Sequence, residues 1–128
     1  MAEDGLTIIL LHDDYIGETV NLYRVVGVRE CESIFTNKSF LSGMNSLEGR
    51  QFAFTEQEVI HYAITDASKI AVAKAVIPKD ILNILDFSDN IDIKIFINGV
   101  ITVHPEENRL FNESIIRIEM KERIDDLK

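Results

Sequence analysis

Short apolar runs alternate with polar segments along the whole chain, and the spacing inside each run predicts both strands and helices. Compact or alternating apolar positions predict strands, because successive side chains of a strand point to opposite faces. Strands are predicted in this way at residues 6–12, 21–26, 51–54 and 68–77. In the second of them, Arg24 shares a face with two apolar residues, Leu22 and Val26.

Helices are predicted where apolar residues recur with the period of a helical turn. Such spacing occurs at residues 28–35, 55–64 and 78–85. The second helix begins with Thr55 and Glu58, the pattern of a capping box, in which each side chain bonds a free backbone N–H of the first turn. Pro78 lies in the first turn of the third helix, where its missing N–H is not needed. The buried face of that helix is predicted to comprise Ile81, Leu82, Ile84 and Leu85.

The strongest local pattern is a β-hairpin late in the chain. Two apolar segments, 92–97 and 100–104, flank Asn98 and Gly99. That pair is preferred in a type I′ turn, because both central residues need a positive φ. Residues 86–90 are predicted as the turn that precedes the hairpin. Isoleucines at alternate positions give its first strand one apolar face: Ile91, Ile93, Ile95 and Ile97.

No repeat, low-complexity tract or Pro/Gly-rich linker divides the chain, so residues 1–128 are predicted to form a single domain. After the hairpin come a short helix at 105–111, a strand or helix at 114–120, and a solvated tail at 121–128. The segment 37–50, rich in Ser, Gly and Asn, is predicted as a long loop of the kind that often carries function. The fold class is therefore α+β, with helices interleaved early and the hairpin after them.

Composition and charge narrow the functional classes. The chain has 13 Lys and Arg against 22 Asp and Glu, and its net charge of −9 disfavours binding to nucleic acid or to anionic lipid. No apolar run approaches the roughly 20 residues of a membrane span. These features predict a soluble, cytosolic domain.

Thiol and metal chemistry have little support in the sequence. The single cysteine, Cys31, excludes an intramolecular disulfide and a Cys-based zinc site. The neighbouring charges of Glu30 and Glu32 would raise the pKa of its thiol, so a buried structural thiol is predicted. No metal site is predicted, because the histidines lie on separate elements without the spacing of metal ligands. They are His12, His61 and His104.

Arg24 and the strand at 51–54 could together form a ligand site. An unpaired buried guanidinium is costly, so Arg24 must face solvent, a carboxylate or an anionic ligand. The strand at 51–54 contributes Phe52 and Phe54, and Thr55 follows it. A cleft between the two strands would offer a cation, a ring and a hydroxyl, which suits a nucleotide-like ligand. The alternative is that Arg24 pairs with a surface acid and that Phe52 or Phe54 is a core residue.

Several motifs follow one another in an order that can be compared with known families. They are Leu-Tyr-Arg-Val-Val at 22–26, a short helix, Asn-Ser-Leu-Glu-Gly-Arg-Gln-Phe-Ala at 45–53, a helix with His61-Tyr62, Val-Ile-Pro-Lys-Asp-Ile-Leu at 76–82, and Leu-Phe-Asn at 110–112. This order resembles the compact ADP-ribosyltransferase-like toxin domains at the C-termini of bacterial polymorphic and contact-dependent toxins. The resemblance covers about residues 21–119 and leaves 1–20 as an N-terminal extension. It implies a split, twisted, mostly antiparallel sheet with short helices and a cleft that holds NAD as the substrate.

The resemblance also implies roles for individual residues. Arg24 would hold the phosphates or a ribose of NAD. Phe54 or Tyr62 would stack on nicotinamide, and Thr55 would support its ribose. A carboxylate from a later strand would stabilise the positive charge that develops on the sugar as nicotinamide leaves. The strand predicted at 100–104 carries no acid, so the catalytic candidates, of which at most one acts, are Glu106, Glu107 and Glu119.

The same resemblance implies a biological setting. Such a domain would act in the cytoplasm of a target cell, delivered as part of a larger secreted protein, and would have a cognate immunity protein as partner. The acidic charge favours a protein over a nucleic acid as the acceptor. Because the strand acid is missing, a second hypothesis stays open. It is a catalytically degenerate domain of this fold that acts as a non-enzymatic protein-binding or immunity-type domain, or keeps the cleft for a nucleotide.

Overall fold

The structure is a computed structural model that describes residues 6–12, 14–40, 50–90 and 93–122. Its strands are β1 (Leu6–Leu10), β2 (Thr19–Val26), β3 (Arg50–Ala53), β4 (Ala71–Pro78), β5 (Asp86–Ser88), β6 (Val100–Val103) and β7 (Arg117–Lys121). Its α-helices are α1 (Val28–Asn37), α2 (Glu56–Ala63) and α3 (Asn108–Ser114), and short 3₁₀ helices occupy Lys79–Ile84 and Pro105–Glu107. The predicted α+β class is confirmed.

The seven strands form one antiparallel sheet in the order β1-β7-β4-β2-β3-β6-β5. Pairing is longest between β2 and β4, where the register runs without a break from Thr19 opposite Pro78 to Val26 opposite Ala71. Among the described residues, β2 and β3 pair at a single position, Tyr23 opposite Ala53. The sheet therefore has a large part, β1-β7-β4-β2, and a small part, β3-β6-β5, that are weakly joined.

The main core lies on the face of the sheet that α1 and α3 cover. Alternate residues of β4 are small here, which leaves room for large side chains from the other elements: Ala71, Ala73 and Ala75. The Phe52 ring lies between those of Phe40 and Phe111, with centroids 5.2 Å and 5.1 Å away. Asn112 fixes this cluster, because its side-chain amide donates to the Phe40 carbonyl and accepts from the Phe40 N–H, at 3.0 Å and 2.7 Å.

A smaller apolar cluster lies on the opposite face, beneath α2. It comprises Val25, Ala53, Val59, Ala63 and Val72. At the β1 end of that face, Ile8 and Leu10 are exposed. The helix α2 therefore covers only part of this face and leaves apolar side chains of β1 exposed to solvent.

Cys31 lies in α1 and is buried in the main core, as predicted. Burial raises the pKa of its thiol, and the charges of Glu122 and Glu32 raise it further. A thiol in this environment is not activated as a nucleophile.

Most predicted elements form within a few residues of their expected bounds, but the helix predicted at 78–85 is wrong in kind. Pro78 has an extended backbone, with ψ 137°, and ends β4, so the segment after it winds only as a 3₁₀ helix. Because a 3₁₀ helix has three residues per turn, its apolar positions do not form one stripe. Ile84 is 45% exposed, contrary to prediction, while Leu85 is buried.

The predicted hairpin is also wrong in its first strand. Residues 93–97 form turns, and β6 pairs instead with β5, which lies in the segment predicted as a turn. Gly99 has a positive φ of 90° but Asn98 does not, so the type I′ turn is not formed. Instead the Gly99 N–H bonds the Phe96 carbonyl at 3.1 Å and closes a different turn. Residues 91 and 92 lie outside the described residues.

The later elements follow the prediction more closely. The short helix predicted at 105–111 forms as a 3₁₀ turn followed by α3, and the strand-or-helix segment at 114–120 forms the strand β7. Most of the loop predicted at 37–50 and of the tail predicted at 121–128 lies outside the described residues.

Candidate functional site

The cleft of interest opens where β2 and β3 stop pairing. Beyond the Tyr23–Ala53 pair, Arg24 and Val25 on β2 line one side, and Arg50 and Gln51 on β3 line the other. The cleft has a volume of about 610 Å³, within the range of small-molecule sites. Backbone carbonyls that lose their strand partner at this gap need another hydrogen-bond donor. Arg24 supplies one, because its Nη1 donates to the Gln51 carbonyl at 3.1 Å.

Arg24 is fixed by a bidentate ion pair with Glu30 of α1. Its Nε and Nη2 donate to the two carboxylate oxygens at 2.7 Å and 3.0 Å. The two side chains are 14% and 9% exposed. The sequence left open whether Arg24 pairs with an acid or lines a cleft. In the structure it does both, because it pairs with Glu30 and is also a lining residue of the cleft. Glu30 therefore offsets part of the positive charge that Arg24 brings to the cleft.

An aromatic wall lines part of the same cleft. It is formed by Tyr62 of α2 and Phe96 of the turn before β6, whose ring centroids lie 6.0 Å apart. Val59, one helical turn before Tyr62, is buried beneath them. The Tyr62 residue is 36% exposed, which leaves its ring open to a ligand. Tyr62 is thus brought into the same cleft as Arg24, as the sequence-based expectation required.

Two further basic residues, Lys69 and His104, line the cleft besides Arg24 and Arg50. The His104 ring bonds Asp86 of β5 at 2.9 Å. This hydrogen bond raises the pKa of His104 above its ordinary value of 6.5, and the charges of Asp86, Glu107 and Glu106 raise it further. His104 is therefore charged over a wider pH range than an isolated histidine.

Charge is distributed unevenly between the cleft and the rest of the chain. The chain as a whole carries a net charge of −9. Yet none of the described residues that line the cleft is Asp or Glu, while basic residues approach it from β2, from β3, from the position after β6 and from the segment before β4. Arg24, Lys69 and His104 each have a carboxylate partner, which is Glu30, Asp66 and Asp86 respectively, so their charge is offset in part. The lining residues themselves still present basic groups, which attract ligands of negative charge.

Two residues predicted to touch the ligand lie elsewhere. The Phe54 ring packs against the main core and against Phe87, with centroids 6.1 Å apart, and does not line the cleft. Thr55 caps α2, because its hydroxyl oxygen accepts from the Glu58 N–H at 3.3 Å. The cap is confirmed, but the reciprocal bond of the capping box is not made. Glu58 instead accepts from the Thr55 hydroxyl and from Asn98.

Two of the three candidate catalytic acids, Glu106 and Glu107, lie in the 3₁₀ helix that follows β6. Glu107 accepts from the His104 backbone N–H at 3.2 Å and so caps its own helix. Both acids follow His104 by two and three residues, which places them near the cleft, but neither lines it.

The third candidate acid, Glu119, lies in β7. In the sheet, β4 separates β7 from β2, the strand that carries Arg24. It bonds Lys74 at 3.1 Å and Arg117 at 2.9 Å. Burial alone would raise the pKa of Glu119, but the hydrogen bonds from Arg117 and Lys74 outweigh burial and lower it. Glu119 lines a separate cavity of about 160 Å³, together with Lys74 and Lys121. It does not meet Arg24 and Tyr62 in one cleft.

Sequence reasoning missed several residues that shape the cleft. Glu30 entered the sequence analysis only as a neighbour of Cys31, although its place in the first turn of α1, six residues after Arg24, could have suggested the pair. Phe96 was assigned to a strand that does not form. Lys69 and His104 carry no local signal, because only the folding of distant segments brings them to the cleft.

Two general findings bear on the site. Within the described residues, no group of three His, Cys, Asp or Glu side chains could hold a metal ion. No helix in the described part of the chain has both the length and the apolar character needed to cross a membrane.

Comparisons with known proteins add no relative. No protein-family model, no curated protein and no solved structure matches this chain.

Proposed function

We propose that this domain binds an anionic ligand that carries a flat ring, and that the ligand is NAD or a related nucleotide. The observation that carries the proposal is the lining of one cleft by Arg24, Arg50, Lys69 and His104 on its polar side and by Tyr62 and Phe96 on its aromatic side. Phosphates bind guanidinium and ammonium groups, and a base or nicotinamide ring stacks on an aromatic side chain.

The order of motifs supports NAD over other nucleotides, because it resembles ADP-ribosyltransferase-like toxin domains, which hold NAD beside a strand arginine. Two of the four residues that the resemblance assigns to NAD, Arg24 and Tyr62, line the cleft, and Phe54 and Thr55 do not. In the proposed complex, Phe96 takes the ring-stacking role beside Tyr62. The phosphates lie toward Arg50, Lys69 and the two N–H groups of Arg24 that are not donated to Glu30 or to the Gln51 carbonyl.

Binding without turnover is the form of the proposal that the site favours. Cleavage of the bond between nicotinamide and ribose builds positive charge on the sugar, and a fixed anion stabilises that charge. The described lining residues include no carboxylate, and the buried Glu30 carboxylate is engaged on both oxygens by Arg24. This is the catalytically degenerate, non-enzymatic hypothesis, with the cleft kept for a nucleotide.

Calorimetry with NAD, ADP and pyrophosphate tests the proposal. We expect saturable binding that weakens as salt is added, because the contacts to phosphate are ionic. Lys69→Gln should lower the affinity for ADP about tenfold, the value of one charge-assisted contact. Lys79→Gln is the matched control, because Lys79 lies at the far end of β4, pairs with Glu18 and is 63% exposed. Equal affinities in these two variants, or no binding at millimolar ligand, would reject the cleft as the site.

ADP-ribosyl transfer is the second candidate function, and the position of Glu106 and Glu107 favours it. Glu107 accepts from the backbone N–H of His104, a residue of the cleft, and Glu106 precedes it in the same 3₁₀ helix. The acceptor would be a protein, and the setting would be that of a toxin domain with a cognate immunity protein. Release of nicotinamide from NAD, measured with the wild-type chain and with Glu106→Gln, Glu107→Gln and Glu119→Gln, distinguishes the two functions. Transfer requires release that one of the first two substitutions abolishes, whereas binding alone gives no release in any variant.

A further inference from the structure

A buried carboxylate without a basic partner stands next to the aromatic wall. Glu58 of α2 is 5% exposed, and no ion pair among the described residues involves it. It is stabilised instead by donors that converge on its two oxygens. The Thr55 hydroxyl donates at 2.7 Å, the Asn98 backbone N–H at 3.1 Å and the Asn98 side-chain amide at 3.2 Å. A buried charge is tolerated only when it is satisfied in this way.

The bonds of Glu58 join two segments that are far apart in sequence. Asn98 lies in the turn closed by the bond from the Gly99 N–H to the Phe96 carbonyl. Holding the backbone and the side chain of Asn98 therefore holds the turn that carries Phe96. Two of the three donors come from this turn, so Glu58 does more than cap its own helix.

The two halves of the aromatic wall depend on the same helix. Tyr62 follows Glu58 by four residues in α2, so both side chains project from one face of the helix, one turn apart. Tyr62 is part of the helix itself, whereas Phe96 reaches the wall through the turn that Glu58 holds. The pairing of β5 with β6 does not fix the Phe96 ring, because β6 begins only at Val100. The bonds between Glu58 and Asn98 therefore hold a part of the chain that the sheet does not hold.

We propose that Glu58 is a positioning residue for the cleft: its carboxylate holds the turn of Asn98 and thereby keeps the Phe96 ring against Tyr62. The part of this inference that concerns ligand rests on the proposed function. Glu58 then determines how well the cleft recognises a flat ring, and leaves the recognition of phosphate to the basic residues. It makes no contact with the ligand.

A tryptophan placed at the wall tests the positioning role without any ligand. The chain has no tryptophan, so Phe96→Trp gives a single reporter. In this background we compare Glu58→Ala and Asn98→Ala, which remove the attachment from opposite ends. The matched control is Glu56→Ala, which removes another acid of the same helical turn, one that pairs with Lys121 at 2.7 Å instead. Circular dichroism checks that each variant is folded.

We expect tryptophan emission to shift to the red and quenching by acrylamide to rise at least about twofold in Glu58→Ala and in Asn98→Ala, because the ring leaves a half-buried position for water. Glu56→Ala should leave both readouts unchanged. Emission and quenching in Glu58→Gln should lie between those of Glu58→Ala and those of the parent Phe96→Trp chain. A carboxamide keeps one acceptor oxygen where three donors converge. Identical emission and quenching in the Glu56→Ala and Asn98→Ala variants would overturn the positioning role, even if Glu58→Ala failed to fold.

Binding of ADP and pyrophosphate to the chain with Phe96 intact then tests the consequence for ligand. The proposal expects Glu58→Ala to lower the affinity for ADP about tenfold, the value of lost ring stacking, and to leave pyrophosphate affinity unchanged relative to Glu56→Ala. An equal loss for both ligands would overturn the assignment to ring recognition. If neither ligand binds the wild-type chain, the proposed function fails, while the tryptophan readout still decides the role of Glu58.

Discussion

The two edges of β2 differ sharply in how they pair. Along one edge, every residue from Thr19 to Val26 pairs with β4. Along the other edge, β3 pairs at one position only among the described residues, and the space that opens beyond it is the basic cleft. One strand therefore provides both a continuous ladder that holds the sheet together and a gap that can receive a ligand.

Side chains explain why the two edges differ. Opposite the closed edge, β4 presents small and branched apolar residues that allow close packing with the helices. At the open edge, Arg24 brings a charged group that β3 cannot cover, and it needs both Glu30 and the Gln51 carbonyl as partners. The closed edge is stabilised by burial of apolar surface and backbone bonds, whereas the open edge is stabilised by paired charges. Substitutions at the two edges should therefore have different consequences.

The largest effect on stability is expected at the closed edge. Leu22→Ala removes a side chain that is 0% exposed in the main core, and should lower the free energy of unfolding by about 3–4 kcal/mol through lost burial and a cavity. Urea denaturation followed by circular dichroism measures this change. The affinity of the remaining folded protein for ADP should not change. A loss of stability below about 1 kcal/mol would contradict the role given to this edge.

A slightly smaller effect is expected when the ion pair of the open edge is broken. Arg24→Ala leaves the Glu30 carboxylate buried and unpaired, which should cost about 3 kcal/mol of stability. The combined substitution of Arg24→Leu with Glu30→Leu should restore most of that loss, because no buried charge remains. Arg109→Ala is the control, since the Arg109–Glu113 pair is 90% and 60% exposed. Equal denaturation midpoints for Arg24→Ala and Arg109→Ala would show that the buried pair contributes no more to stability than the exposed pair.

Ligand affinity should distinguish the two aromatic residues that the sequence proposed for stacking. Tyr62→Ala removes a ring of the cleft and should weaken ADP binding about tenfold, with a small change in stability. Phe54→Ala removes a ring that packs on the main core and on Phe87, and should lower stability while the affinity stays the same. Calorimetry and thermal unfolding of the two variants measure both quantities. The reverse pattern would place the ligand on the other face of the sheet.

The smallest effect is a dependence on pH that comes from His104. Because Asp86 raises the pKa of His104 above 6.5, the imidazolium contributes stability below that value, and the contribution is lost as the pH rises through the raised pKa. The affinity for a phosphate-bearing ligand should fall over the same interval, as one cation of the cleft becomes neutral. His104→Gln should remove this part of the pH dependence. A pH profile identical to that of the wild type would exclude His104 from the site.

The sequence predicted the closed edge well, because local patterns decide it. The alternation in β2, the cap at Thr55 and the apolar run of β4 each act over a few residues, and the structure confirms them. The α+β class followed from these elements. The position of Arg24 in an apolar strand indicated that it faces solvent, a carboxylate or an anionic ligand, and the structure shows the carboxylate, which is that of Glu30.

The open edge was harder to predict, because distant contacts override local preference there. Asn98-Gly99 is a strong signal for a type I′ hairpin. In the structure, however, Asn98 donates two hydrogen bonds to Glu58, which lies forty residues earlier, and the turn that forms is a different one. The first predicted strand is consequently replaced by β5. Phe54 and Thr55 were proposed from their positions at the strand and from the resemblance, and Glu106, Glu107 and Glu119 from the resemblance alone. None of the five lines the cleft, because neither strand position nor motif order fixes the direction in which a side chain projects.

The most direct test of the central claim is a titration of the isotopically labelled 14.6 kDa chain with NAD, followed by the chemical shifts of its backbone amides. We predict saturable changes that concentrate at the cleft, in Arg24, Gln51 and Tyr62, and that leave β1 and β7 undisturbed. Changes of similar size along β4 and β7, or no change at millimolar NAD, would contradict the claim that the gap between β2 and β3 is the binding site.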